Sequence, residues 1–119
     1  MIDYLDILKT EFSAGDDSFL IKLRGYFEWD KEAFHRLTEA MKVCCIEMEK
    51  EETLPRWLCK GFYYLSHVVR DFVATGHYRR EHSKEYYQKA FRRLDDLASW
   101  FFKGRSPYMD GIGYEPMEK

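Results

Sequence analysis

The chain has little net charge of either sign. It carries −2 over 119 residues, so bulk electrostatics offers nothing to a nucleic acid, and no such partner is expected. It has no apolar run of roughly 18 residues, so no membrane-spanning helix and no membrane partner are expected. Its opening, Met1-Ile2-Asp3-Tyr4-Leu5-Asp6, is acidic where a secretory signal would be basic, so no ordinary signal peptide is expected. Cysteine is scarce: Cys44 and Cys45 are adjacent and Cys59 stands alone. Three is an odd number, and neither a CxxC nor a zinc spacing is present. In apolar helical surroundings a free thiol behaves as a small hydrophobe, and the pattern points to a reducing cytoplasm.

Catalytic and metal signatures are also missing. There is no HExxH and no paired ExxH carboxylate pattern. His77 and His82 lie in a connector, while His35 and His67 sit on different helices. No metal or other cofactor is expected. A Cys–His pair would have to form across the molecule from thiols that read as buried, where a thiolate is disfavoured. The expectation is a chain that is not an enzyme.

What is abundant is aromatic side chain. Nine Phe, nine Tyr and three Trp exceed what the core of a small helical domain needs. The surplus, much of it Tyr and Trp beside charge, is the material of protein-binding surfaces. With 45% hydrophobic and 34% charged residues, the chain reads as one globular domain, residues 1–108, followed by an irregular tail over 109–119.

The periodicity is helical throughout. Residues 2–12 place Leu5, Leu8 and Phe12 on one side. After the turn at 13–17, with Asp17 or Ser18 as cap, a second short helix spans about 18–27 with Phe19, Leu20, Leu23 and Phe27 on one face. Asp30 opens a long helix to about Lys50, with a stripe of Phe34, Leu37, Met41, Cys44, Cys45 and Met48. Val43 and Ile46 fall on its outward face, where the N-terminal helices are expected to cover them. Pro55 fits the first turn of a helix running to about Thr75. That helix has the widest apolar arc and is expected at the centre. Ser83 caps the last long helix, which ends at Gly104. Its outer face carries Lys89, Arg93, Asp96 and Trp100. The predicted fold is all-α: three long helices in a bundle with one or two short N-terminal helices.

Two surface features suggest protein recognition. The run Glu47-Met48-Glu49-Lys50-Glu51-Glu52 gathers carboxylates at the negative end of a helix dipole, where they are mildly unfavourable unless negative potential is useful. Tyr63, Tyr64 and His67 on the polar line of their helix, with Trp100, are the aromatics least explained by the core. Glu47, Glu49, Glu51, Glu52, Tyr63, Tyr64, His67 and Trp100 are therefore the candidate partner-binding residues. Basic pairs at Arg79-Arg80 and Arg92-Arg93 have acidic neighbours and read as a solvated, ion-paired helix face.

The string Arg70-Asp71-Phe72-Val73-Ala74-Thr75-Gly76-His77 resembles the active-site motif of the HEPN ribonucleases, which are all-α domains of similar size. There the arginine holds phosphate and the histidine acts in acid–base cleavage. Here a glycine helix stop falls inside the motif.

Three further blocks carry a wider resemblance: 19–30 (FLIKLRGYFEWD), Leu54-Pro55-Arg56-Trp57-Leu58 with Phe62-Tyr63-Tyr64-Leu65, and Ala98-Ser99-Trp100-Phe101-Phe102 with Arg105-Ser106-Pro107-Tyr108. Over roughly residues 15–108 the chain resembles the small all-α immunity proteins of bacterial polymorphic toxin systems. That resemblance implies a cytoplasmic protein that neutralises a cognate toxin by direct binding. The family shares no catalytic motif, so no residue role is carried over. The alternatives are the HEPN-like ribonuclease and a helical module that self-associates, as a homodimer for instance, through Val43 and Ile46.

Overall fold

Four short polar side chains open helices by accepting a first-turn amide that has no partner within the helix. In the computed structural model, which describes residues 3–75, 78–108 and 114–117, Asp3 precedes α1 (Tyr4–Phe12), Ser18 precedes α2 (Phe19–Tyr26), Asp30 precedes α3 (Lys31–Met48) and Ser83 precedes α5 (Lys84–Lys103). Asp30 accepts from the Ala33 amide at 3.1 Å, and Ser18 and Ser83 accept from Ile21 and Tyr86 at the same distance. Helix α4 (Arg56–Val73) instead follows Pro55, whose φ of −58° already suits a helix entry. Proline thus lies one residue before the helix rather than in its first turn. No strand occurs among the described residues, and the protein is all-helical.

The chain direction follows from paired contacts. Helices α3 and α5 run parallel: the Trp29 indole N–H donates to the Tyr86 hydroxyl near one end, and Glu49 accepts from the Trp100 indole at the other. Helix α4 returns antiparallel to α5, with Phe62 stacked on Phe101 at 4.1 Å and Arg70 paired with Asp95 at 2.6 Å. Helix α3 packs against α1, α2 and α5, while α4 packs on α5 and touches α1. The central position expected for α4 therefore falls to α3. A broad apolar arc reports how much surface a helix buries, not how many neighbours share it.

Trp29, in the loop before α3, is the hub of the core. It is buried with Phe19 at 4.8 Å, Phe34 at 5.1 Å and Tyr87 at 5.2 Å, mostly edge to face, which suits the quadrupoles of the rings. The aromatic surplus is absorbed in this way. Of the aromatic residues, only Tyr26, Phe27, Tyr63 and Phe102 are exposed.

Polar staples join the short helices to this core. Glu11 of α1 is 2% exposed. Its carboxylate accepts from the Phe19 amide at the start of α2 at 2.8 Å and lies 3.4 Å from Arg36 of α3. Burial raises its pKa, against the lowering effect of that amide and of Arg36.

The outer face of α5 differs from expectation. Arg93 is 6% exposed and Trp100 is 7% exposed. Residues 105–108 and 114–117 lie across this face. Tyr108 meets Trp100 edge to face at 6.3 Å, and the Tyr114 ring centre is 3.8 Å from the Arg93 guanidinium. Arg93 also donates to the Glu115 carbonyl. The Tyr114 hydroxyl donates to Glu39 of α3 at 3.2 Å. Conversely Val43 and Ile46, expected beneath the N-terminal helices, are 40% and 50% exposed. Helix α1 packs on α3 and leaves these two uncovered.

Candidate functional site

The acidic run lies where two helix ends meet. Helix α3 has no basic residue in its last turn, and Glu49 follows it as the cap. Helix α5 stops at Gly104, whose φ of +68° lies in the left-handed region that glycine enters freely. A β-carbon at Gly104 would stand 2.8 Å from the Glu49 carbonyl oxygen, so glycine also permits the close approach of the two ends. Because α3 and α5 are parallel, both negative dipole ends point to this pole.

Glu47, Glu49, Glu51 and Glu52 are all exposed there. Among the described residues none of these carboxylates forms an ion pair. Glu49 accepts from the Trp100 indole N–H at 3.3 Å, which holds one carboxylate in place. The arrangement is an acidic cap that holds one lysine, Lys50, among four exposed glutamates. It can attract a cationic surface.

The expected aromatic anchors are separated by the fold. Tyr63 and His67 form a stacked pair at 4.2 Å on the solvent side of α4. The His67 Nδ1 lies 2.7 Å from the Ser66 hydroxyl and 3.1 Å from the Tyr63 carbonyl. Tyr64, one residue on, is half-buried and turns toward α2, with Arg24 5.8 Å from its ring centre. Trp100 is no exposed anchor, because Tyr108 covers it and Glu49 takes its N–H. The acidic run is thus brought together, the Tyr63–His67 pair stands apart on α4, and Tyr64 belongs to a third face.

Other candidate chemistry is constrained. Cys44 and Cys45 are buried, and burial pushes the Cys44 thiol up to about 12. Cys45 is raised as well, and its thiol points to the Leu97 carbonyl at 3.4 Å. Arg70 is held by Asp95 and lies over Phe91 at 5.2 Å. Gly76 and His77, which complete the ribonuclease-like string, lie outside the described residues. Among the described residues, no cluster of three His, Cys, Asp or Glu could hold a metal ion. Among the described residues no helix is long and apolar enough to cross a membrane. No protein-family model, curated protein or solved structure matches the chain.

Two residues important to this arrangement were missed by sequence reasoning. Glu11 gave no signal, since an acid on an amphipathic helix reads as solvent-facing. Arg93 was placed on a solvated face because its cover is an irregular segment with no periodicity to read.

Proposed function

We propose that this chain is a binding protein of the immunity type, which neutralises a cognate toxin in the cytoplasm by covering a basic surface on it. The observation that carries the reading is the acidic cap, whose glutamates form no ion pair among the described residues, at the joined C-terminal ends of α3 and α5. Like charges kept together at a negative helix pole cost stability, and a cationic partner offsets that cost on binding. Three free cysteines accord with a reducing compartment, and the burial of Cys44 and Cys45 argues against either thiol as a nucleophile. The exposed Tyr63–His67 pair provides a second contact outside the cap.

The test is association with the product of the adjacent gene. Reversing Glu47, Glu49, Glu51 and Glu52 to lysine should slow association by about tenfold or more at low salt and flatten its salt dependence. An unchanged rate would show that the cap is not the interface. The ribonuclease reading is tested in the same preparation: RNA cleavage abolished by Arg70→Ala and His77→Ala would replace the binding reading.

A further inference from the structure

A second face of the molecule carries the opposite charge. Helices α1, α2 and α4 enclose an open groove of about 450 Å³. Its walls hold three cations, Lys9, Arg24 and Lys60, and three rings, Phe12, Trp57 and Tyr64. No carboxylate lines it. Among the described residues none of these cations forms an ion pair. In a chain of net charge −2, such a local excess is set by placement and not by composition. Elsewhere Lys22, Arg36 and Arg70 each meet a carboxylate.

The rings are held by the fold. Phe12 packs edge to face on Trp57 at 6.2 Å and on Phe62 at 5.9 Å. It lies so close to α4 that a β-carbon at Gly61 would fall 2.2 Å from its ring, so only glycine admits this floor. Lys9 lies 5.9 Å from the Trp57 ring centre and Arg24 lies 5.8 Å from Tyr64. These contacts hold two of the charges over the rings without neutralising them.

We propose that this groove binds a small aromatic phosphate of the nucleoside monophosphate class. Three uncompensated cations, one of them a forked guanidinium, match a multiply charged phosphate better than a single carboxylate. A flat base would stack on the ring faces that Lys9 and Arg24 leave uncovered, as in sequence-tolerant base recognition. The volume lies in the range of small-molecule sites and exceeds what a lone phosphate fills.

Calorimetric titration of the full chain with adenosine monophosphate tests this, with adenosine and inorganic phosphate as partial probes. Saturable binding is expected, with a shift of the Trp57 indole N–H resonance and with each partial probe about tenfold weaker or worse. Arg24→Ala and Lys60→Ala, both at exposed positions, should keep the melting temperature and weaken binding about tenfold each. Three outcomes would overturn the proposal: no saturable binding of adenosine, guanosine or uridine monophosphate; binding indifferent to both substitutions; or capture only of a single-stranded oligoribonucleotide or a glutamate-rich peptide. The acidic cap plays no part in this titration, so its outcome is independent of toxin binding.

Discussion

Arg93 and Arg24 both stand over a tyrosine ring, at 3.8 Å from Tyr114 and 5.8 Å from Tyr64, yet the first is buried and the second exposed. The difference lies in what surrounds them. Around Arg93, Glu39 and Glu115 anchor the C-terminal segment: Glu39 accepts from Tyr114, Lys89 lies 3.6 Å from Glu115, and Lys42 covers the Tyr114 ring at 4.4 Å. Arg93 itself donates to the Glu115 carbonyl, so its guanidinium is hydrogen-bonded where the face closes over it. The groove around Arg24 has the same kinds of residue and no acid. Closing it would bury unpaired cations, at a cost that rings alone do not offset. Arginine–aromatic pairs therefore say nothing about exposure until the hydrogen-bond acceptors around them are located.

Removing the arginine should separate the two faces most strongly. Arg93→Ala should cost about 3 kcal/mol of unfolding free energy, since it removes a buried charged donor and its packing. Arg24→Ala should stay within about 0.5 kcal/mol. Urea denaturation measures both, and equal losses would erase the distinction between a closed and an open face.

Glu11 ties the end of α1 to the first amide of α2, and its removal tests how much that staple contributes beside the open face. Glu11→Ala should cost about 2 kcal/mol by leaving the buried Phe19 amide unpaired, with the loss read from the urea midpoint. Glu11→Gln keeps an acceptor and exposes the pH dependence. Burial raises the carboxyl above its ordinary 4.5 in the folded chain. Its contribution is therefore complete below about 4.5 and fades as pH rises through the folded value. On acidification from neutrality, the wild-type protein should gain stability relative to Glu11→Gln. A difference independent of pH would mean that the carboxyl is not perturbed.

The smallest effect belongs to the closed face. Burial pushes the Tyr114 hydroxyl up to about 12 from 10.0, with Arg93 lowering it and Glu39 raising it. Its contribution is whole below pH 10.0 and lost as pH rises through about 12. Tyr114→Phe should cost about 1 kcal/mol at neutral pH through the lost bond to Glu39. The wild-type advantage should vanish over that alkaline range. Its persistence at higher pH would place the tyrosine outside the closed face.

Much of the local structure was legible because it depends on neighbours in sequence. Ser18, Asp30 and Ser83 act on amides three residues away, and Gly104 stops α5 by its own backbone freedom. The candidate site was legible only in part. The acidic run is contiguous, so its gathering needed no tertiary information. Tyr63, Tyr64 and Trp100 could not be sorted by periodicity, since adjacent helical residues diverge by about 100° and each meets a different neighbour. Val43 and Ile46 misled for the same reason: an apolar pair shows that a helix can be covered there, not that it is.

The sequence by itself determined the helices, their caps and stops, the acidic run, and a chain without excess charge. These rest on short-range hydrogen bonds and on the 3.6-residue period. Only the tertiary structure decided that α3 and not α4 is central, that Trp29 is the core's hub, that an irregular segment buries Arg93 and Trp100, and that Lys9, Arg24 and Lys60 meet with no acid between them. Each of these depends on contacts between residues far apart in the chain. Such contacts are set by which surfaces can be buried together with their charges satisfied, and no local pattern encodes that choice.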